Sequence, residues 1–353
     1  MKKIGILTFH FADNYGAVLQ CYALRRVING ITRCRAEVIN YVPASFRYVK
    51  TWTNEYEESL FQEKRKNFVK FLSEHCGIQK PMIHTISEAG PYDYYVVGSD
   101  QVWSTGMQEY FLPEIAEKNY CISYAASIGV GMDNPRLKKS VLQQYVPKFT
   151  SVSVREYEHV AFIEKMCGKK CECLLDPVLL LNAVDYEGFV AKESLREERF
   201  IFFFWLTHDK EYMHGVEFVN RLSRLLEIPI VHAFHFAPDY MFCNDGGSMQ
   251  FEGIENFLWY TKNAEYVVTN SYHATLFSIQ FHTPFYIFAS KNMHSRIDTL
   301  CKRFAIHERV VEGYLPMDKV SKDIDFDFIY RKILEQREDS FQYLRKALEA
   351  AYE

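Results

Sequence analysis

The chain has 353 residues, enough for roughly two domains at ~100–200 residues each. Its 41 Lys and Arg against 45 Asp and Glu leave a formal charge of −4, which argues against a nucleic-acid binder built on clustered positive charge. Hydrophobic residues make up 48%, and 28 Phe, 24 Tyr and 4 Trp exclude a disordered chain.

The first elements read strand, loop, helix, strand. Lys3–Phe9 is a short apolar run, His10–Gly16 is polar and turn-forming, and Ala17–Ile28 has helical apolar spacing at Val18, Leu19, Tyr22, Ala23 and Val27. Glu37–Tyr41 is a second strand, so a parallel sheet opens here. Thr51–Cys76 reads as a highly charged helix, Tyr94–Gly98 as a strand ending in Gly-Ser-Asp, and Tyr120–Ala126 as another strand. Leu137–Phe149 is expected to be a helix, Ser151–Val154 a short strand ending at Arg155, Tyr157–Cys167 a helix, and Glu172–Leu175 a strand running into Asp176-Pro177. A boundary is expected near Asp176–Glu198, where Pro177 stops the strand and a charged stretch follows.

A second α/β unit follows. Phe200–Leu206 is continuously apolar, as in a strand buried on both faces. Glu211–Leu226 reads as a helix, Pro229–His232 as a strand, Gly253–Lys262 as a helix, Tyr266–Thr269 as a strand, Ser271–Phe281 as a helix and Pro284–Ala289 as a strand. Phe326–Leu348 reads as a long amphipathic helix with Phe328, Ile329, Ile333, Leu334, Phe341, Leu344 and Leu348 on one side. The expected fold class is α/β, with two doubly wound, Rossmann-like domains facing a cleft. Residues 1–185 form the first, joined by a C-terminal helix within 322–353, and 186–321 form the second.

No apolar run approaches the ~18–20 residues needed to span a bilayer. Ile4–Phe9 is too short for a signal-peptide core, so a cytoplasmic protein is expected. The nine cysteines are scattered and odd in number, with no repeated CxxC pair, and read as reduced packing thiols. His232 and His235 lack a completing Cys or carboxylate, so no metal site is expected. Walker and dinucleotide-binding glycine loops are absent.

Ligands of open α/β sheets bind in loops at the carboxyl ends of strands, which singles out five segments. In Phe11–Gly16, Gly16 permits close backbone approach, while Asp13 and Asn14 offer an acceptor and donors; an ordinary βα turn would use the same residues. In Gly98–Trp103, Ser99 and Asp100 present hydrogen-bonding groups, or merely cap a helix. Arg155 offers a planar fork for carboxylate or phosphate, or a salt bridge to Glu156 or Glu158. Asn270 and Ser271 precede a helix with His273 in its first turn, an arrangement that pairs anion-binding amides with a proton donor; a packed histidine is the plainer alternative. Lys291 and Arg296, in the loop after the next strand, add two cations or a solvated basic loop.

Taken in order, Asn14–Gln20, Val97–Trp103, Ser123–Ser127, Ser153–Arg155, Asp176-Pro177 and Ser271–Ala274 resemble the polysaccharide pyruvyl transferase family over about residues 4–290. Tyr272 departs from the pattern, since many members carry a different large residue before the histidine. The resemblance implies a fold similar to the glycosyltransferase type B architecture. It also implies transfer of pyruvate from phosphoenolpyruvate onto a sugar as a cyclic ketal. The family's phosphoenolpyruvate-contacting Arg and His fall on Arg155 and His273.

On that footing Arg155, with Lys291 or Arg296 and the amides behind Ser271, would hold the donor. His273 would be the acid, and Asp13 the base with Asp100 second. The expected partners are phosphoenolpyruvate as co-substrate and an acceptor sugar that is polymeric or lipid-linked, with peripheral attachment at the inner membrane face in the latter case; no further cofactor is expected. A nucleotide-sugar-dependent glycosyltransferase of the same fold and a non-catalytic carbohydrate-binding protein are the alternatives.

Overall fold

Runs of β-branched and aromatic residues alternate with amphipathic helices, and each run finds a parallel neighbour. The computed structural model describes residues 1–44, 46, 55–78, 81–104, 107–117, 119–135, 137–193, 195, 198–206, 211–234, 245–248, 253–289 and 294–349. The first half contains β1 (Lys3–Leu7), α1 (Tyr15–Ile31), β2 (Arg35–Val38), α2 (Glu55–His75), β3 (Tyr94–Val97), β4 (Tyr120–Ser123), α3 (Lys139–Tyr145), β5 (Val152–Val154), α4 (Tyr157–Cys167), β6 (Cys171–Cys173) and α5 (Ala183–Glu187). The strand order is β2-β1-β3-β4, all parallel. The β5-β6 pair continues it through parallel bridges Ile122–Ser151 and Ala126–Val154. The order reverses direction between β1 and β3, which opens a crevice at their carboxyl ends.

The second half contains β7 (Ile201–Trp205), α6 (Tyr212–Leu226), β8 (Ile230–Phe234), β9 (Asp245–Ser248), α7 (Ile254–Asn263), β10 (Tyr266–Thr269), α8 (Tyr272–Gln280), β11 (Phe285–Phe288), α9 (His294–Phe304), β12 (Val310–Val311) and α10 (Phe326–Glu349). The order is β12-β11-β10-β7-β8-β9, again parallel, with its reversal between β7 and β10. Every residue of β7, Ile-Phe-Phe-Phe-Trp, is buried, because helices cover both sheet faces.

Each half has its own apolar core, and a third core runs through both. It joins Ile4 and Ile6 of β1 and the buried face of α1 to Phe202 and Phe204 of β7, Phe257 of α7 and Phe277 of α8. Tyr15, at the start of α1, stacks on Phe257 with ring centroids 4.7 Å apart.

The chain ends by returning to the first half. Arg337 of α10 donates to Leu179 O (3.0 Å), Leu181 O (3.0 Å) and Asn182 Oδ1 (2.7 Å), and Tyr343 Oη donates to Ser123 O (2.8 Å). The buried stripe of α10 differs from the sequence expectation at one position. Leu334 is exposed, and Arg337 and Ser340 are buried in the stripe below it. Their hydrogen bonds to backbone carbonyls make a polar side chain the better filler there.

Three further differences have local causes. The helix expected over Leu137–Phe149 is α3 followed by a 3₁₀ turn at Val146–Lys148, because Pro147 lacks the N–H that would extend α3. β9 reads Asp-Gly-Gly-Ser and β12 spans two residues, so neither carries an apolar pattern that sequence periodicity can detect. The segment after β11 enters a helix, α9, rather than staying a loop.

Candidate active site

The residues facing the crevice come from loops at the two direction reversals. Asn14 caps α1, its Oδ1 accepting from Ala17 N at 3.1 Å. Gly16 lies against the His273 imidazole so closely that a Cβ would sit 2.3 Å from the ring, so only glycine fits. Gly98 begins the turn after β3 at φ +117°, and a Cβ there would meet Tyr124 O at 2.3 Å. Residues 101–104 form turns rather than a helix, so Ser99 and Asp100 are not helix caps. Asp100 takes φ +64° and folds its Oδ1 onto Gln101 N at 2.9 Å. Ser99 Oγ donates to Ala125 O at 2.9 Å and lies 3.4 Å from Asp176 Oδ2.

Asp176 is the hub. Its Oδ1 accepts from Val178 N at 3.0 Å, and its Oδ2 accepts from Arg155 Nη1 at 2.6 Å. The same Oδ2 lies 3.5 Å from His273 Nε2, which brings the first half's guanidinium and the second half's imidazole to one carboxylate oxygen. Arg155 Nη2 lies 3.8 Å from Asp100 Oδ1, and its guanidinium stacks over the Tyr272 ring at 4.3 Å. Behind them, Ser271 Oγ caps α8 by accepting from Ala274 N at 3.2 Å. Asn270 Oδ1 accepts from Leu206 N at 2.8 Å, tying the ends of β10 and β7 together.

Asp100, Arg155, Asp176, Tyr272 and His273 are all buried, Arg155 at 2% exposure and Asp176 at 1%. Burial disfavours charge on Asp176, but His273 and Arg155 outweigh it and hold the carboxyl well below its usual range. Burial likewise opposes charge on Arg155, while Tyr272, Asp176, Glu156 and Asp100 hold it charged, above the ordinary guanidinium value. Arg296, in the first turn of α9 and 8% exposed, joins this cluster. Burial first, and then the neighbouring Arg155 charge, push it down to about 10, so it is still a cation at neutral pH.

Two buried guanidiniums, close enough for one to weaken the other's charge, thus have donors to spare. Arg155 Nε and Nη2, Arg296 Nε, Asn270 Nδ2 and His273 Nε2 are buried and make no hydrogen bond among the described residues. A buried donor left unmatched costs ~1–3 kcal/mol, more when charged, so such a concentration marks a place built for oxygen acceptors on an anion.

Arg155 does not pair with Glu156 or Glu158, the alternative suggested by the sequence. Those two carboxylates hold His159 instead, at 3.2 Å each. Glu156 also accepts from Ser127 Oγ and, at 3.3 Å, from Ile128 N, while His159 Nε2 meets Val130 O at 2.9 Å. Burial opposes charge on both partners, yet their mutual bonds hold Glu156 at about 2 and His159 at about 9.

Asp13 has different surroundings. Arg65 Nη1 donates to its Oδ1 at 3.2 Å, and Lys64 of the same helix adds a second positive charge. Burial outweighs both cations and raises the Asp13 carboxyl. Lys291 lies outside the described residues, and Arg296 belongs to a helix rather than to the expected loop. In the sequence Asp176 stands only beside Pro177, the strand stop, and in the Asp176-Pro177 piece of the family resemblance, with no place in the site; its signal was Asp-Pro directly after a strand. Among the described residues no group of three or more His, Cys, Asp or Glu is placed to hold a metal. No described helix is long and apolar enough to cross a membrane, and the eight described cysteines are free.

Three solved structures show the fold this chain shares. A UDP-N-acetylglucosamine 2-epimerase from Rickettsia bellii is 9% identical over 98% of both chains, with a TM-score of 0.53. MnaA of S. aureus, solved with UDP, is 13% identical over 98% of this chain and 91% of its own, at 0.52. The UDP-GlcNAc 2-epimerase of Methanocaldococcus jannaschii, solved with UDP-GlcNAc and UDP, is 12% identical over 99% of this chain and 100% of its own, at 0.50. At such identities the likeness speaks to fold alone, an α/β architecture of the glycosyltransferase type B kind with parallel sheets. No curated protein matches the chain in sequence. A sequence model described as polysaccharide pyruvyl transferase matches residues 14–292, from the cap of α1 to just before α9, a span that takes in Arg155, Asp176 and His273; the chain belongs to the polysaccharide pyruvyl transferase family.

Proposed function

We propose that the protein moves the pyruvyl group of phosphoenolpyruvate onto two hydroxyls of one sugar, closing a cyclic ketal and releasing inorganic phosphate. The observation that supports this donor is the buried pair of guanidiniums, Arg155 and Arg296, with unmatched N–H groups. Phosphoenolpyruvate carries two anionic groups, a carboxylate and a phosphate, and each accepts from a planar fork. Asn270 Nδ2 supplies a neutral donor beside them.

In this scheme His273, kept next to the Asp176 carboxylate, gives a proton to the methylene carbon and leaves the adjacent carbon electrophilic. A sugar hydroxyl attacks that carbon and loses its proton to a carboxylate, Asp13 first and Asp100 second. The carbon–oxygen bond to phosphate then breaks with its electron pair. The second hydroxyl closes the ring; of the two hydroxyl protons, one restores His273 and the other leaves with phosphate. The acceptor is a polymeric or lipid-linked sugar, and the protein works at the cytoplasmic side.

Phosphate release from phosphoenolpyruvate, measured with a panel of hexose and N-acetylhexosamine acceptors, tests the reading, alongside thermal shifts with phosphoenolpyruvate, UDP-sugars and GDP-sugars. Acceptor-dependent phosphate and a shift with phosphoenolpyruvate are expected. A shift with a nucleotide sugar and none with phosphoenolpyruvate would replace the donor.

A further inference from the structure

A cavity of about 420 Å³ lies beside Asp13, at the carboxyl ends of β1 and β2. The loop after β1 supplies His10, Phe11 and Asp13, the segment after β2 supplies Asn40, and α2 closes it with Arg65 and Leu72. We infer that this cavity seats the acceptor as an uncharged pyranose ring, an assignment that rests on the transferase reading above and names where its second substrate lies.

The size is that of a small-ligand site, ~300–1,000 Å³. The lining mixes polar and apolar groups. Paired donors and acceptors are present, with Arg65 Nη1 at 3.2 Å from Asp13 Oδ1 and His10 Nε2 at 3.2 Å from Asn40 Oδ1. Phe11, Leu72 and Ile78 supply apolar surface. A pyranose has the same mixture, a rim of hydroxyls and faces of C–H groups.

The ionic groups lining the cavity are already paired with each other. Asp13 and Arg65 offset each other, and burial lowers the His10 pKa, so its ring adds no charge at neutral pH. The ammonium of Lys64 lies over the rings of Tyr15 and Phe68, at 5.0 and 5.6 Å. The cavity also adjoins the donor cluster along the chain. Asp13 is three residues before Gly16, whose backbone touches the His273 ring.

The test blocks the rim. Val69 of α2 and Met82 both line the cavity and are about half exposed, so a tryptophan there fills the space without disturbing the core. Binding of methyl hexopyranosides and methyl N-acetylhexosaminides is followed by NMR line broadening for wild type, Val69→Trp and Met82→Trp, with melting temperatures and phosphoenolpyruvate shifts measured in parallel. The expected result is glycoside binding by wild type, weakened at least ~10-fold in both variants, with unchanged melting and an unchanged phosphoenolpyruvate shift. Equal binding by all three proteins, or none by wild type, overturns the inference. Binding lost in the variants without any phosphoenolpyruvate shift in wild type keeps the sugar site and overturns the donor.

Discussion

Arg155 and Glu156 are adjacent in sequence, both buried, both charged, and they belong to two differently built clusters. Around Glu156 the bonding is complete, with Ser127, Ile128 N and His159 on the carboxylate and Val130 O on the far side of the imidazole. Around Arg155 it is incomplete, with two of its nitrogens unmatched, a second guanidinium pressed near it, and Asp176 shared with His273. A complete buried network fixes a loop in place. An incomplete one stores binding capacity and costs stability until a ligand supplies the missing oxygens.

The largest effect that would break this contrast is on turnover. His273→Ala should lower kcat by ~10²–10⁴ while the melting temperature stays close to that of wild type. Near-normal phosphate release by this variant would take His273 out of the mechanism. On the scaffold side, Glu156→Ala leaves His159 buried without its main counter-charge and should cost ~3–5 kcal/mol in urea unfolding. A loss below ~1 kcal/mol would mean the network is dispensable.

Arg296→Met sharpens the comparison, because function and stability should part. The KM for phosphoenolpyruvate should rise ~10–100-fold, the worth of a hydrogen bond to a charged group. Stability should hold or rise, since a buried cation facing Arg155 is gone. Lower stability with an unchanged KM would place Arg296 in the scaffold. The smallest effect is the pH dependence of unfolding. The Glu156 carboxyl falls from 4.5 to about 2 on folding, so its contribution is full above about 4.5 and lost as pH drops toward 2. His159 rises from 6.5 to about 9, so its contribution is full below about 6.5 and lost as pH climbs toward 9. Stability should therefore peak between those limits, with a slope of at most ~1.4 kcal/mol per pH unit for each proton, and Glu156→Ala should flatten both flanks.

Strand ends were legible where local signals agreed. Tyr266–Thr269 followed by the Ser271 cap pairs an apolar run with a capping hydroxyl, and both are found as read. The same signals placed Arg155 at a strand end and His273 in the first turn of a helix. Sequence could not show that Asp176 joins them, because residues 155, 176 and 273 meet only through tertiary packing. The helix α9 was missed because it is buried on polar as well as apolar sides; Ser295, Arg296, Thr299 and Arg303 are inside along with Ile297 and Leu300. Its solvent-facing side narrows to the pair Asp298 and Lys302, so the broad polar face that marks a helix in sequence is missing. Asp13 was legible as a loop carboxylate, but its partner Arg65 sits on a helix whose many charges give no sign in sequence of which one turns inward.

The third core has a bearing on motion. Tyr15, Phe204 and Phe257 interlock across the two sheets, and α10 clasps the first half after the chain has built the second. A wide hinge swing would tear that aromatic contact open to water at ~25 cal/mol for each Å² uncovered. The imidazole and guanidinium already share one oxygen, so no such swing is needed to assemble them. Traffic of small molecules then falls to side chains at the rim, and turnover should be governed by their rearrangement rather than by gaping of the two halves.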